Sequence, residues 1–169
     1  MKKFNAILLL LLATSLISNA QVPLAKREAQ FNAGLGLSGW GVPIYAGFDF
    51  GVFNDISLGV EMSYVSYNEH FHDAKYRSNV LGIGANGNYH FNTVLEIPRN
   101  WDFYAGINLG YYAWGLADDY PGDNSSGLEL GAQIGGRYFI NRRFGLNLEL
   151  GGSGTFSGGK IGITYLLNK

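Results

Sequence analysis

Cysteine is absent from the 169-residue chain. That excludes a disulfide framework, a thiolate metal site and a lipid-modified N-terminal cysteine. Charge is scarce as well, at 15% of residues with a net value of −1, and the balance turns more acidic once Lys2 and Lys3 are set aside. With no basic patch to neutralise phosphates, nucleic acid is excluded as a partner. After Ala20 no apolar run approaches the roughly 18 residues that a membrane helix needs, so helical insertion is excluded too. Helices of useful length are not expected at all, because glycine recurs inside every patterned segment.

What the chain does have is 25 glycines, 11 tyrosines and 11 phenylalanines. Residues 1–20 run from Met-Lys-Lys through an apolar stretch, Ala6 to Ala13, to Ser18-Asn19-Ala20. A basic start, a short greasy middle and small residues before a cut make a secretory signal, expected to be cleaved. Residues 21–29 (QVPLAKREA) are polar and aperiodic and read as a flexible lead-in. Residues 30–169 form the single remaining domain, in which the dominant period is two.

Eight alternating segments are expected: Gln30–Ser38, Val42–Val52, Ile56–Tyr67, Val80–Phe91, Trp101–Trp114, Leu128–Ile140, Phe144–Gly151 and Lys160–Leu167. Tight polar turns at Phe53-Asn54-Asp55 and Asn141-Arg142-Arg143 alternate with longer hydrophilic connections, Asn68–Arg77 and Gly115–Ser126. One face of the segments is apolar throughout, relieved only by tyrosine hydroxyls. The other carries 14 glycines, several amides and seven charges: Asp49, Glu61, Asp102, Glu129, Arg137, Glu149 and Lys160. A soluble lipocalin-like barrel would turn the second face to water and would need it dense in Lys and Glu. So few charges among so many glycines suit the lining of a narrow barrel instead, with the apolar face against lipid.

Aromatics give a second test. If the chain starts on the periplasmic side, Phe31, Phe50, Tyr89, Phe91, Trp101, Phe103, Tyr138, Phe144 and Tyr165 fall at one level, a girdle for the membrane interface. Tyr64, Tyr111 and Trp114 mark a sparser upper belt. The expected fold is therefore all-β: a closed, eight-stranded, antiparallel, up-and-down transmembrane β-barrel.

In this pattern the chain resembles the small eight-stranded outer-membrane proteins of the OmpX/Ail type and the OmpA membrane domain, within the porin-like outer-membrane barrels. The resemblance covers nearly all of residues 30–169 and implies a bacterial outer-membrane location. It also implies a monomer in contact with outer-membrane lipid, lipopolysaccharide and the assembly machinery. Such proteins usually end on an aromatic; here Tyr165 is followed by Leu166-Leu167-Asn168-Lys169.

Several groups are candidates for chemistry. The lumen network of Asp49, Glu61, Glu129, Arg137, Glu149 and Lys160 is expected to be a paired plug, with Arg137 opposite Asn147 and diagonal to Glu149. Its acidic excess favours cations if anything passes. Glu69-His70-Phe71-His72-Asp73 has metal-binding residue types but no third placed ligand. Asp118, Asp119, Asp123 and Asn124 do not match a calcium loop. Ser66, Ser78, His70 and His72 near the outer rim show no triad spacing, and His90 sits at the other end. No cofactor, metal or catalysis is expected.

The function expected is that of a structural or surface-interaction scaffold. Loops 68–77 and 115–126, with Phe71, Tyr76 and Tyr120, are its contact surfaces for an extracellular protein or surface ligand. A small, weakly cation-selective porin is the alternative, followed by a lipid A-modifying enzyme and a soluble lipocalin-like carrier.

Overall fold

A computed structural model describes residues 24–38, 41–71, 74–115, 126–152 and 158–167. Eight strands follow one another: β1 Ala29–Ser38, β2 Ile44–Phe53, β3 Ile56–Phe71, β4 Ala74–His90, β5 Trp101–Gly115, β6 Gly127–Phe139, β7 Phe144–Gly152 and β8 Gly158–Leu166. Each pairs antiparallel with its neighbours in sequence, and β1 pairs with β8 from Gln30↔Leu166 to Ser38↔Gly158, so the sheet closes into a barrel. Closure leaves no free edge around the barrel's waist, the condition for a sheet to cross hydrocarbon.

Alternation sets the two faces. Along the membrane-facing stretch, residues of even number in β2, β3, β6 and β7 and of odd number in β1, β4, β5 and β8 point outward, and they are apolar apart from tyrosine hydroxyls. Leu58, Ile83, Ile107, Leu130 and Ile161 are among those that stand exposed on the exterior. In water so continuous an apolar surface would drive aggregation; against lipid tails it costs nothing. The fold is that of a transmembrane barrel.

One end of the barrel carries the first and last described residues, Leu24 and Leu167, which mark its terminus-bearing side, together with the short turns. Between β2 and β3, Asp55 takes a left-handed conformation (φ 63°), which Asp tolerates better than most residues. Between β6 and β7, the Asn141 carboxamide oxygen accepts from the backbone N–H groups of Arg143 and Phe144, both at 2.9 Å. The β4–β5 connection is tied down by the Thr93 hydroxyl, which donates to Asp55 at 2.6 Å.

Two expectations change here. The loop expected over residues 68–77 is strand, apart from residues 72 and 73, which lie outside the described residues. The β3–β4 ladder continues up to Phe71↔Ala74, because the polar residues of this stretch can pair their backbones above the membrane as well as they can hydrate them. Second, residues 24–28, expected to be flexible, lie across the terminus-bearing mouth. Arg27 N–H donates to the Gly51 carbonyl at 2.8 Å, and Gly51 N–H donates to the Glu28 carbonyl at 3.0 Å. Leu24 packs with Phe139 and Leu166 in a buried apolar cluster, so removal of apolar surface from water fixes a segment whose polarity read as loose.

The strands are unequal. β3 to β6 have 16, 17, 15 and 13 residues, while β7, β8, β1 and β2 have 9, 9, 10 and 10. About 9–11 tilted residues span a bilayer, so one half of the barrel ends near its surface and the other rises beyond it.

Candidate functional site

Inside the barrel, side chains take the place of an apolar core. The lower lumen is organised around Arg137 on β6, which donates from Nη1 to Asp102 and from Nη2 to Asp49, both at 2.8 Å. This corrects the expected diagonal pairing with Glu149. Arg137 does stand opposite Asn147 in register, but its long side chain crosses the lumen with the guanidinium 4.2 Å from the Tyr104 ring centroid, a cation–π placement. Asp49 also accepts from Gln30 at 2.8 Å and Asn32 at 2.9 Å.

From these residues a single chain of bonds visits every strand. His90 (β4) lies with Nδ1 2.7 Å from Asp102 (β5), and its Nε2 lies 2.9 Å from the Ser57 hydroxyl (β3). On the other side, Asn32 (β1) accepts from Thr164 (β8) at 2.7 Å, and Thr164 accepts from Asn147 (β7) at 3.1 Å. Asn147 in turn accepts from the Tyr45 hydroxyl (β2) at 2.8 Å. With Arg137 (β6) and Asp49 joining the two arms, all eight strands are stitched through the interior. His90 and Asp102 are each 1% exposed and Arg137 3%. Buried charge persists only when paired and hydrogen-bonded like this.

Ser57, His90 and Asp102 have the connectivity of a hydrolytic triad, with Nδ1 toward the acid and Nε2 toward the hydroxyl. Nucleophilic attack also needs a space beside the hydroxyl for the substrate carbonyl. Neither lumen cavity reaches any of the three, and the second oxygen of Asp102 is committed to Arg137. In this arrangement Ser57 and Asp102 orient the imidazole and Arg137 neutralises the acid.

The upper lumen is organised around Lys160 on β8, which donates to Glu61 at 2.6 Å and lies 3.0 Å from Glu149. The Tyr104 hydroxyl donates to Glu149 at 2.8 Å, linking the two levels. Beside them an amide ladder runs from Asn108 to Gln133, Asn88 and Asn86. Lys160 retains 23% side-chain exposure. Above this layer a cavity of about 50 Å³ opens toward the far end, lined by Pro43, Tyr45, Glu61, Asn108, Tyr112 and Lys160 among others. At about 10–15 Å³ per water it has room for a few. A second cavity of about 20 Å³ lies between the two ion clusters, enough for one.

Of the six residues expected in the lumen network, Asp49 and Arg137 belong to the lower cluster and Glu61, Glu149 and Lys160 to the upper. Glu129 is on β6 level with Gly110, toward the upper rim. Asp102, His90, Ser57, Tyr45 and Tyr104 were not expected in it. The signal available was the spacing of large residues against glycine. Asp49 faces Gly59, Tyr104 faces Gly135, and Asn88 faces Gly106 across neighbouring strands. A Cβ on any of these glycines would collide with the facing side chain. These glycines are the seats of side chains that fill the lumen.

On the exterior, the residues of the expected girdle meet as follows. Phe31 and Phe144 both stand in register with Tyr165, and Trp101 packs on Phe103 at 5.4 Å and on Tyr138 at 4.8 Å between ring centroids. Tyr89 and Phe91 are 5.3 Å apart, and Phe50 is paired with Leu58. His72, Asp73, Asp118, Asp119, Tyr120, Asp123 and Asn124 lie outside the described residues, as do the side chains of Glu69, His70, Phe71 and Tyr76. Ser66 and Ser78 lie on β3 and β4 near the tall end, and the buried Ser78 hydroxyl has no hydrogen-bond partner among the described residues.

No family model and no curated protein matches this chain. Solved structures do. The outer membrane protein OprG from Pseudomonas aeruginosa superposes with a TM-score of 0.67 at 11% identity, covering 89% of this chain and 100% of that one. Ail of Yersinia pestis in a phospholipid nanodisc gives 0.54 at 12% identity, over 84% and 100% of the two chains. Neisserial surface protein A gives 0.53 at 15% identity, over 84% and 95%. At such identities the likeness is one of fold, and it is the fold of small eight-stranded outer-membrane barrels.

Proposed function

We propose that this chain is a bacterial outer-membrane protein acting as a structural or surface-interaction scaffold, with its contact surfaces at the tall end. The observation that carries the reading is the contrast between a filled lumen and an elevated hairpin. The interior is crossed by Arg137 and Lys160 with their carboxylate partners and stopped below by Leu24, Phe139 and Leu166, which argues against passage as the main task. Outside, β3 runs seven residues beyond Tyr64, its last partner for Ile44 of β2, and β4 starts five residues before Asn79, its first partner for Gly115 of β5. At about 3.3 Å per residue this hairpin stands roughly 20 Å above the short side of the wall. Residues 68–77 and 115–126 are the contact surfaces in this reading, and lipopolysaccharide, the assembly machinery and a surface ligand are the partners.

Replacing 68–77 and 116–125 with Gly-Ser stretches tests it: loss of cell adhesion or envelope integrity with unchanged heat-dependent gel mobility is expected. Unchanged adhesion and integrity would refute the contact surfaces. The porin alternative is checked on the same refolded protein in a planar bilayer. Silence is the expected result, and discrete cation-selective steps would put conduction first.

A further inference from the structure

The terminus-bearing rim has a chemistry that neither the lumen nor the tall end shares. The three connections that close it each carry exposed apolar side chains: Phe53 at the end of β2, Val94 and Leu95 between β4 and β5, and Ile140 between β6 and β7. Val94 and Leu95 are 62% and 65% exposed, more than most of the membrane-facing belt. They do not form a separate patch, since Val94 and Leu95 lie only three and four residues beyond Phe91 and Ile140 continues the outward row of Tyr138. Around them sit exposed cations: Lys26, Arg27, Arg99 and Arg142. Lys26 Nζ is 5.8 Å from the Phe53 ring centroid, and Arg143 reaches the Tyr165 hydroxyl at 3.5 Å. Cations therefore stand directly beside the aromatic level.

Three acids share the rim, and two are already engaged: Asp55 accepts from Thr93 and Glu28 from the Ala25 N–H. The opposite end has the reverse sign in its sequence, with Glu69, Asp73, Asp118, Asp119 and Asp123 against Lys75 and Arg77. A surface that is apolar toward the bilayer and cationic just outside it matches one partner. The apolar groups enter the boundary between acyl chains and headgroups, while the cations meet headgroup phosphates.

From this juxtaposition we infer that the terminus-bearing rim is a binding ring for anionic phospholipid, with Val94, Leu95 and Ile140 seated in the bilayer and Lys26, Arg99 and Arg142 holding the headgroups. The inference rests on the barrel spanning a membrane with this rim at the periplasmic leaflet. It names the lipid class which that leaflet must supply. A charged rim also fixes the height of the barrel, because sliding along the bilayer normal would pull either the apolar turns into water or the cations into hydrocarbon.

The test measures lipid selectivity at the barrel surface. The mature protein is refolded into phosphatidylcholine bilayers containing spin-labelled phosphatidylglycerol or, separately, spin-labelled phosphatidylcholine. The motionally restricted fraction is then compared. Phosphatidylglycerol is expected to be favoured about threefold at low salt, with the preference lost in high salt. It should also fall toward one in the triple variant Lys26→Gln, Arg99→Gln, Arg142→Gln, whose side chains are exposed and leave the fold intact. A ratio of one in the wild type, or a preference that the triple variant retains, would overturn the assignment. Heat-dependent gel mobility monitors insertion independently. A barrel that inserts without selectivity sinks the lipid ring alone, whereas one that never inserts sinks the membrane reading with it.

Discussion

The lower lumen and the upper lumen are lined by the same residue classes, yet they are built to different ends. Below, Arg137 and its two aspartates are almost fully buried, bonds run through all eight strands, and the cavity beside Asp49 and Arg137 holds only about 20 Å³. Above, Lys160 keeps part of its surface in solvent and a cavity of about 50 Å³ opens beside it. The difference follows from what each charge replaces. A buried guanidinium has lost its water and must take its main interactions from protein, so Nη1 and Nη2 of Arg137 are each held by a buried carboxylate, while Nε has no partner among the described residues. A partly exposed ammonium keeps some of its hydration, so its surroundings can be looser. The tightly buried ion pairs are thus concentrated toward the end that carries the termini, and the looser, part-exposed ones toward the tall end.

That contrast can be broken most directly at Arg137. Arg137→Ala leaves Asp49 and Asp102 buried without their counter-charge, and a loss of about 3–5 kcal/mol is expected. Urea unfolding of the refolded barrel, followed by gel mobility, reads it out; a loss below about 1 kcal/mol would mean that water already enters the lower lumen. A smaller effect distinguishes the two levels by packing. Gly135→Ala puts a methyl group into the Tyr104 ring, which is pinned by Arg137 and Glu149. About 1–3 kcal/mol of overpacking cost is expected. Gly110→Ala meets the Tyr112 ring at 3.1 Å in the upper cavity, where the ring has room to yield, and less than about 1 kcal/mol is expected. Equal costs at the two glycines would erase the distinction. Lys160→Ala is expected to cost about 1 kcal/mol, weakening further as salt rises, since its ion pairs remain partly hydrated.

Much of this architecture is legible along the chain because strand and face are local properties. The segment expected at Ile56–Tyr67 begins where β3 begins, and Trp101–Trp114 differs from β5 by one residue. Outward residues such as Leu58 and Ile83 announce themselves by alternation alone, and the Asn54-Asp55 turn by its composition. The upper ends are less legible. Asn68 to Phe71 reads as loop because its polar residues suit water equally well in a turn or in a ladder above the bilayer; only the partner strand decides, and β4 supplies it. Leu24 reads as part of a loose leader because its two partners, Phe139 and Leu166, are more than a hundred residues away.

The lumen divides in the same way. That Asp49, Asp102, Arg137 and His90 face inward follows from period two, since every second residue of a strand must share a side. Which of them meet does not, because Arg137 on β6 reaches Asp49 on β2 only once eight strands have curved into a circle narrow enough for a guanidinium to cross it. The sequence by itself determined a one-sided apolar wall, an even strand count and a lining of glycine and polar residues, all consequences of local alternation and composition. The tertiary structure alone decided the pairing of charges, the filling of each glycine seat and the sealing of one mouth by Leu24. Those depend on distances across a closed barrel, which no local pattern encodes.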